Sequence, residues 1–156
     1  MTTMTSTVSL SQQALLDYWL GHRVLTRRTI EAFPDEALFS FKPTSTLRSF
    51  GEMMLEVVGM IEPTLAYLRS GEWTPTMERF EDVRSKTALL AAWDEATRRL
   101  MDEWTSVPSE RVWAVVPPLP HLVAVPYLID NEVHHRAQGF VYLRLLEIEP
   151  PAFYER

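Results

Sequence analysis

At 156 residues, with 46% apolar and 23% charged side chains, the chain is long enough to bury a core without disulfide staples and is far from the composition of disordered chains. Its formal charge of -6, from 21 acidic against 15 basic residues, offers no basic footprint for a nucleic-acid backbone. The absence of cysteine removes thiolate catalysis and thiolate-rich zinc sites, leaving His, Asp, Glu, Asn and Gln as the groups able to handle metals or protons.

The polar residues 1–8 are expected to fray, and they lack the charged start and apolar run of a secretory signal. No window approaches the ~20 apolar residues of a membrane span, so a cytoplasmic protein without membrane or nucleic-acid partners is expected. Residues 9–156 read as a single helical domain. A first helix is predicted from Ser9 or Ser11 to Phe33, its apolar stripe formed by Leu15, Leu16, Trp19, Leu20, Val24, Ile30 and Phe33. Pro34 ends it, and a short helical segment or turn reaches Leu38. Residues 39–48 read as an extended connector.

Ser49-Phe50-Gly51-Glu52 has the form of a capping box, the serine accepting from a first-turn amide while the glutamate reaches back. It opens a second helix that is expected to run to Ser70 and close at Gly71. Glu56 falls on its apolar side with Met53, Val57 and Met60, and Pro63 must kink the helix or break it. After a connector over 71–84, Ser85 caps a third helix whose buried set is Leu89, Leu90, Trp93, Ala96, Leu100, Met101 and Trp104. A proline-rich stretch follows, in which the alternation at Val112, Ala114 and Val116 suits a short strand or an extended arm. The last helix, Tyr127 to Glu147, contains no proline. Four helices with long first and third connections make an all-α bundle.

The last helix carries the chemistry. Leu128, Asn131, His135, Gln138 and Tyr142 follow the three-then-four spacing of one stripe, and the three polar groups in its middle need partners, since each unmatched one costs about 1–3 kcal/mol when buried. The segment Asn131-Glu132-Val133-His134-His135-Arg136-Ala137-Gln138, with Tyr142-Leu143-Arg144-Leu145-Leu146 and Ile148-Glu149-Pro150-Pro151, resembles the C-terminal signature of the DinB-like (DinB/YfiT) superfamily. Arg48-Ser49-Phe50-Gly51-Glu52-Met53-Met54-Leu55 is similar to that family's second-helix opening. The resemblance implies a four-helix bundle, commonly dimeric, holding a divalent metal on one histidine of the second helix and two, four residues apart, of the last. Against that pattern the second-helix histidine falls on Glu56 and the first of the last-helix pair on Asn131. Only His135 stands as the family has it, so the triad is degenerate.

Two readings follow. In one, Glu56, Asn131 and His135 hold a single divalent ion (Mn, Ni, Zn or Fe), an oxygen-rich set that favours harder ions than three imidazoles would. Glu132 could join only if the helix turned that side inward. In the other, no metal is bound, Glu56 pairs directly with His135, and Asn131 and Gln138 close the network; this reading is preferred. His134, His121 and His22 read as bystanders, Arg136 and Arg144 as partners of acids or of a second subunit, and the tryptophans and methionines as core. No serine lies in a nucleophile-elbow context. The expected function is a non-catalytic or small-molecule-binding bundle, homodimeric, with a ligand in its cleft. The alternative is a divalent-metal enzyme such as a low-molecular-weight-thiol S-transferase, which some relatives of the family are.

Overall fold

In the computed structural model, which describes residues 10–156, the bundle is built from α1 (Gln12–Ala32), the pair α3 (Phe50–Gly59) and α4 (Ile61–Ser70), α5 (Lys86–Trp104) and α6 (Ala124–Leu145). A one-turn α2 (Asp35–Leu38) follows α1, and a small antiparallel hairpin, β1 (Val115–Val116) with β2 (Leu119–Val123), precedes α6. The fraying expected at residues 1–8 lies outside the described residues. Around the bundle α1 packs on α5 and α6, and α3 packs on α6 and α5, so the last helix is gripped by the first and the third. No helix among the described residues is long and apolar enough to cross a membrane.

Local chemistry sets the helix ends. Ser11 and Ser85 accept from the amides of Ala14 and Ala88, three residues into α1 and α5. Ser49 accepts from the Glu52 amide while Glu52 accepts from the Ser49 amide at 2.8 Å, completing the box expected from sequence. Gly71 ends α4 in the left-handed conformation with φ of 80°, where a side chain would be strained. The expected second helix is two, parted at Met60. Pro63 has no amide hydrogen to give the carbonyl of Gly59 four residues back, and that carbonyl instead accepts from Glu78 in the 71–84 connector at 2.9 Å. A Cβ on Gly59 would lie 2.4 Å from the Glu78 carbonyl oxygen, so the connector docks closely only because this residue is glycine.

The core follows the expected stripes with corrections. Trp19, Trp93 and Trp104 are buried, Trp19 and Trp104 edge to face, and the rings of Phe33 and Phe50 stack at 4.6 Å. Val24 and Met101, expected inside, are 51% and 52% exposed. The reason at Val24 is that α1 is covered from two sides, which centres its buried face on Trp19, His22, Arg23, Thr26 and Ile30 and turns Val24 outward. The last helix begins at Ala124, before the predicted Tyr127, because Pro126 sits in the first turn, where a missing amide hydrogen leaves no bond unmade. It ends at Leu145, and Glu147 takes the left-handed position beyond it with φ of 62°.

Candidate functional site

The close approach of α3 and α6 is made by Gly139, where a Cβ would meet the Phe50 ring at 2.4 Å. That contact faces the polar stripe of α6 toward the carboxylate of α3. Glu56 Oε1 lies 3.3 Å from His135 Nε2 and accepts from the Asn131 amide nitrogen at 3.3 Å. The three residues singled out from sequence are therefore adjacent. His135 Nδ1 donates to Gln138 Oε1 at 2.8 Å, which accounts for the third polar group in the middle of the stripe and brings the cluster to four residues.

Sequence reasoning missed the fifth partner. Arg48, one residue before the α3 cap, pairs through its guanidinium with Glu56 Oε2 and lies 3.4 Å from His135 Nε2. Tyr142, on the same stripe as His135, donates to the Arg48 carbonyl at 3.1 Å and so pins its backbone against α6. Burial alone would push the Glu56 carboxyl up, but the Arg48 hydrogen bond and charge, helped by Asn131 and His135, hold it below the usual carboxylate range. The cluster satisfies the imidazole in either protonation state. With hydrogen on Nδ1 alone, Nε2 can accept from Arg48; with both nitrogens protonated, Nε2 donates to Glu56.

This donor set does not suit a divalent ion. Arg48 places a fixed positive charge where the metal charge would sit and occupies one Glu56 oxygen. Asn131 turns its amide hydrogens, not its carbonyl, toward the carboxylate. Among the described residues no group of three or more His, Cys, Asp or Glu side chains is placed to hold a metal ion. An ion could enter only by displacing the guanidinium and turning the amide.

Glu132 does turn inward, toward α1 instead of α3, on the face of α6 next to this cluster. It is fully buried between α1 and α6, accepting from Thr26 Oγ1 at 2.6 Å and from the Trp19 indole at 3.4 Å. Arg23 and Arg136 stand 3.7 and 3.8 Å from its oxygens. Arg23 also lies over the Trp93 ring, 3.9 Å from its centre, and donates to Thr97 and to the Trp93 carbonyl. His22, read from sequence as a bystander, is buried in this second network, with Arg136 donating to its Nδ1 at 3.0 Å. Burial, with the charges of Arg136 and Arg156, lowers its pKa from 6.5 to about 4. His134 and His121 are exposed, as bystanders should be.

A helical bundle with a polar seam between its third and last helices defines the class, and comparison with known proteins places it. The model of the DinB family matches residues 1–156, and the chain belongs to that family. It is 21% identical over 147 residues to the uncharacterized protein YjoA of Bacillus subtilis (strain 168), an alignment spanning 91% of this chain and 95% of the relative. A DinB-like protein from Bacillus cereus ATCC 10987 superposes with a TM-score of 0.72 at 15% identity, over 94% of this chain and 100% of the other. The structure of YjoA from Bacillus subtilis gives 0.72 at 18% identity, over 91% and 98%. At these identities the structural likeness shows the fold alone.

Proposed function

We propose that this chain is a small-molecule-binding, non-catalytic member of the DinB family in which Arg48 supplies the positive charge that an ion would otherwise bring to Glu56. The Arg48–Glu56 pair beside His135 carries this reading. A carboxylate held by a guanidinium, an amide and an imidazole has most of its lone pairs engaged and its charge already balanced, which leaves it a poor ligand for a metal. The polar cluster then serves as one wall of a cleft, since Glu56 also lines a cavity of about 700 Å³ bordered by Met60, Trp73, Leu122, Tyr127 and Leu128. That size and its apolar walls are typical of small-molecule sites.

The test is metal analysis and thermal melting of untagged protein with Mn, Ni, Zn or Fe. No stoichiometric metal and no shift in Tm are expected, because an ion that bound the folded state would stabilise it. A metal bound one to one and lost on Glu56→Ala would overturn the proposal in favour of the second reading, a divalent-metal enzyme such as a thiol S-transferase. That reading is supported by the single approach of Glu56 to His135 at the edge of an open cleft. The homodimer and the cytoplasmic location belong to the same proposal and are read by sedimentation and by cell fractionation.

A further inference from the structure

Two cavities meet at the 71–84 connector. The larger, of about 700 Å³, lies toward the hairpin and α6, and the smaller, of about 480 Å³, toward α3 and residues 79–84. Glu56, Met77 and Arg79 line both, so the connector is the partition between them. Its position is set at Glu78, whose amide donates to the Gly59 carbonyl that Pro63 leaves free, and whose own carbonyl nests against the missing Cβ of Gly59. Met77 and Arg79 flank this anchor. The root of the Arg79 side chain is thereby fixed although it stands on an irregular segment.

Within the larger chamber only Glu56 and Arg79 carry charge, and the other walls are apolar or hydroxylic. Glu56 is already engaged by Arg48, Asn131 and His135. Of the charged residues lining the smaller cavity, Glu52 is matched by Lys42 at 3.0 Å, Glu78 by Arg99 at 3.7 Å and Arg84 by the carbonyls of Phe80 and Val83, while Glu81 faces that cavity and not the larger one. Arg79 has no hydrogen-bond or ion-pair partner among the described residues. A guanidinium so placed at the border of an apolar chamber recognises a carboxylate or sulfonate through paired N–H donors.

We propose that the larger chamber takes a small molecule with a ring-sized apolar body and a single carboxylate or sulfonate, the body lying against Trp73, Leu122 and Leu128 and the anion pairing with Arg79. This rests on the ligand-binding reading above and adds the sign and number of charges on the ligand. The protein as a whole bears a charge of -6, so bulk attraction works against any anion and a preference for one must come from this residue.

The experiment compares 8-anilinonaphthalene-1-sulfonate with N-phenyl-1-naphthylamine, the same ring system without the sulfonate, on the folded full-length chain. Dye emission gives the affinity. Energy transfer from tryptophan, compared between wild type and Trp73→Phe, reports where the dye lies. Wild type is expected to bind the sulfonate about tenfold more tightly than the neutral dye, the increment of one charge-assisted hydrogen bond. The exposed substitution Arg79→Gln should remove that preference and leave the neutral dye unaffected. If the neutral dye binds but the sulfonate binds no better, or Arg79→Gln changes neither, the anion assignment is wrong while the ligand-binding reading stands. Energy transfer insensitive to Trp73→Phe overturns the chamber as the site. If neither dye binds, the ligand-binding reading falls and the inference with it.

Discussion

The carboxylate of Glu132 and the guanidinium of Arg23 face each other at 3.7 Å between α6 and α1, with almost no solvent reaching either. Charges so placed are far costlier to separate than to remove together, because the survivor stays buried without a counter-ion. Glu132→Leu is therefore expected to lower stability by about 3–5 kcal/mol in urea denaturation, whereas Glu132→Leu combined with Arg23→Met should recover part of that loss, Arg136 being left without its carboxylate. A double variant as weak as the single one would assign the damage to packing instead of charge.

Acid should act on His22 before it acts on the α3 carboxylates. The ring has a folded pKa of about 4 against 6.5 when free, so between those values the unfolded chain binds a proton that the folded chain refuses. Its contribution is whole above pH 6.5 and is lost as pH falls toward about 4, a decline of roughly 3 kcal/mol in all. Glu52 and Glu56, whose pKa values are lowered, contribute stability present above their free value of 4.5 and lost only below it. Urea midpoints at pH 7 and pH 5 should thus differ in wild type and nearly coincide in His22→Gln. An equal drop in both proteins would place the proton elsewhere.

Gly59→Ala should cost about 1–3 kcal/mol and release the connector, since the new methyl would sit 2.4 Å from the Glu78 carbonyl oxygen. Trypsin is the probe, cutting after Arg79 or Arg84. Faster cleavage there, at a protease concentration that leaves the rest of the chain intact, is the expected result. Unchanged cleavage would mean that the connector is held by contacts other than this anchor.

Removing the guanidinium should uncover latent coordination chemistry. In Arg48→Ala, Glu56 loses its main counter-charge: Oε2 is freed, and Oε1 still faces His135 and Asn131 with no guanidinium beside them. Zinc or nickel is expected to raise the Tm of this variant and not of wild type, by about 1.4 kcal/mol of added stability at tenfold excess over Kd. A metal-independent Tm in both would show that the geometry, and not Arg48 alone, excludes the ion.

Much of this was legible because helix periodicity and caps are local. The Ser49 box, the Ser85 cap and the Gly71 stop stand where sequence puts them, and the spacing of Asn131, His135, Gln138 and Tyr142 correctly gathers one face. Arg48 escaped notice because it precedes the helix, where no period predicts a direction. The Glu132 network escaped because a single stripe was sought on a helix that buries two. The pairing of Glu132 with Arg136, four residues on, and the position of Arg23 beside Trp19 on α1 were the available signs. The hairpin was half seen: prolines 117, 118 and 120 obscure the partner of Val115–Val116, and Pro120 is tolerated only because β2 lies at the margin of a two-stranded sheet.

The twofold burial of α6 has a mechanical result. Ridges of leucine and valine tolerate small slips of one helix along another, but directional bonds do not. Here Glu132 is tethered to α1 and His135 to α3, less than a turn apart, so that turning or sliding the rod would break bonds to two neighbours at once. The last helix is in effect keyed into two neighbours, and its register is held more tightly than greasy packing alone could hold it.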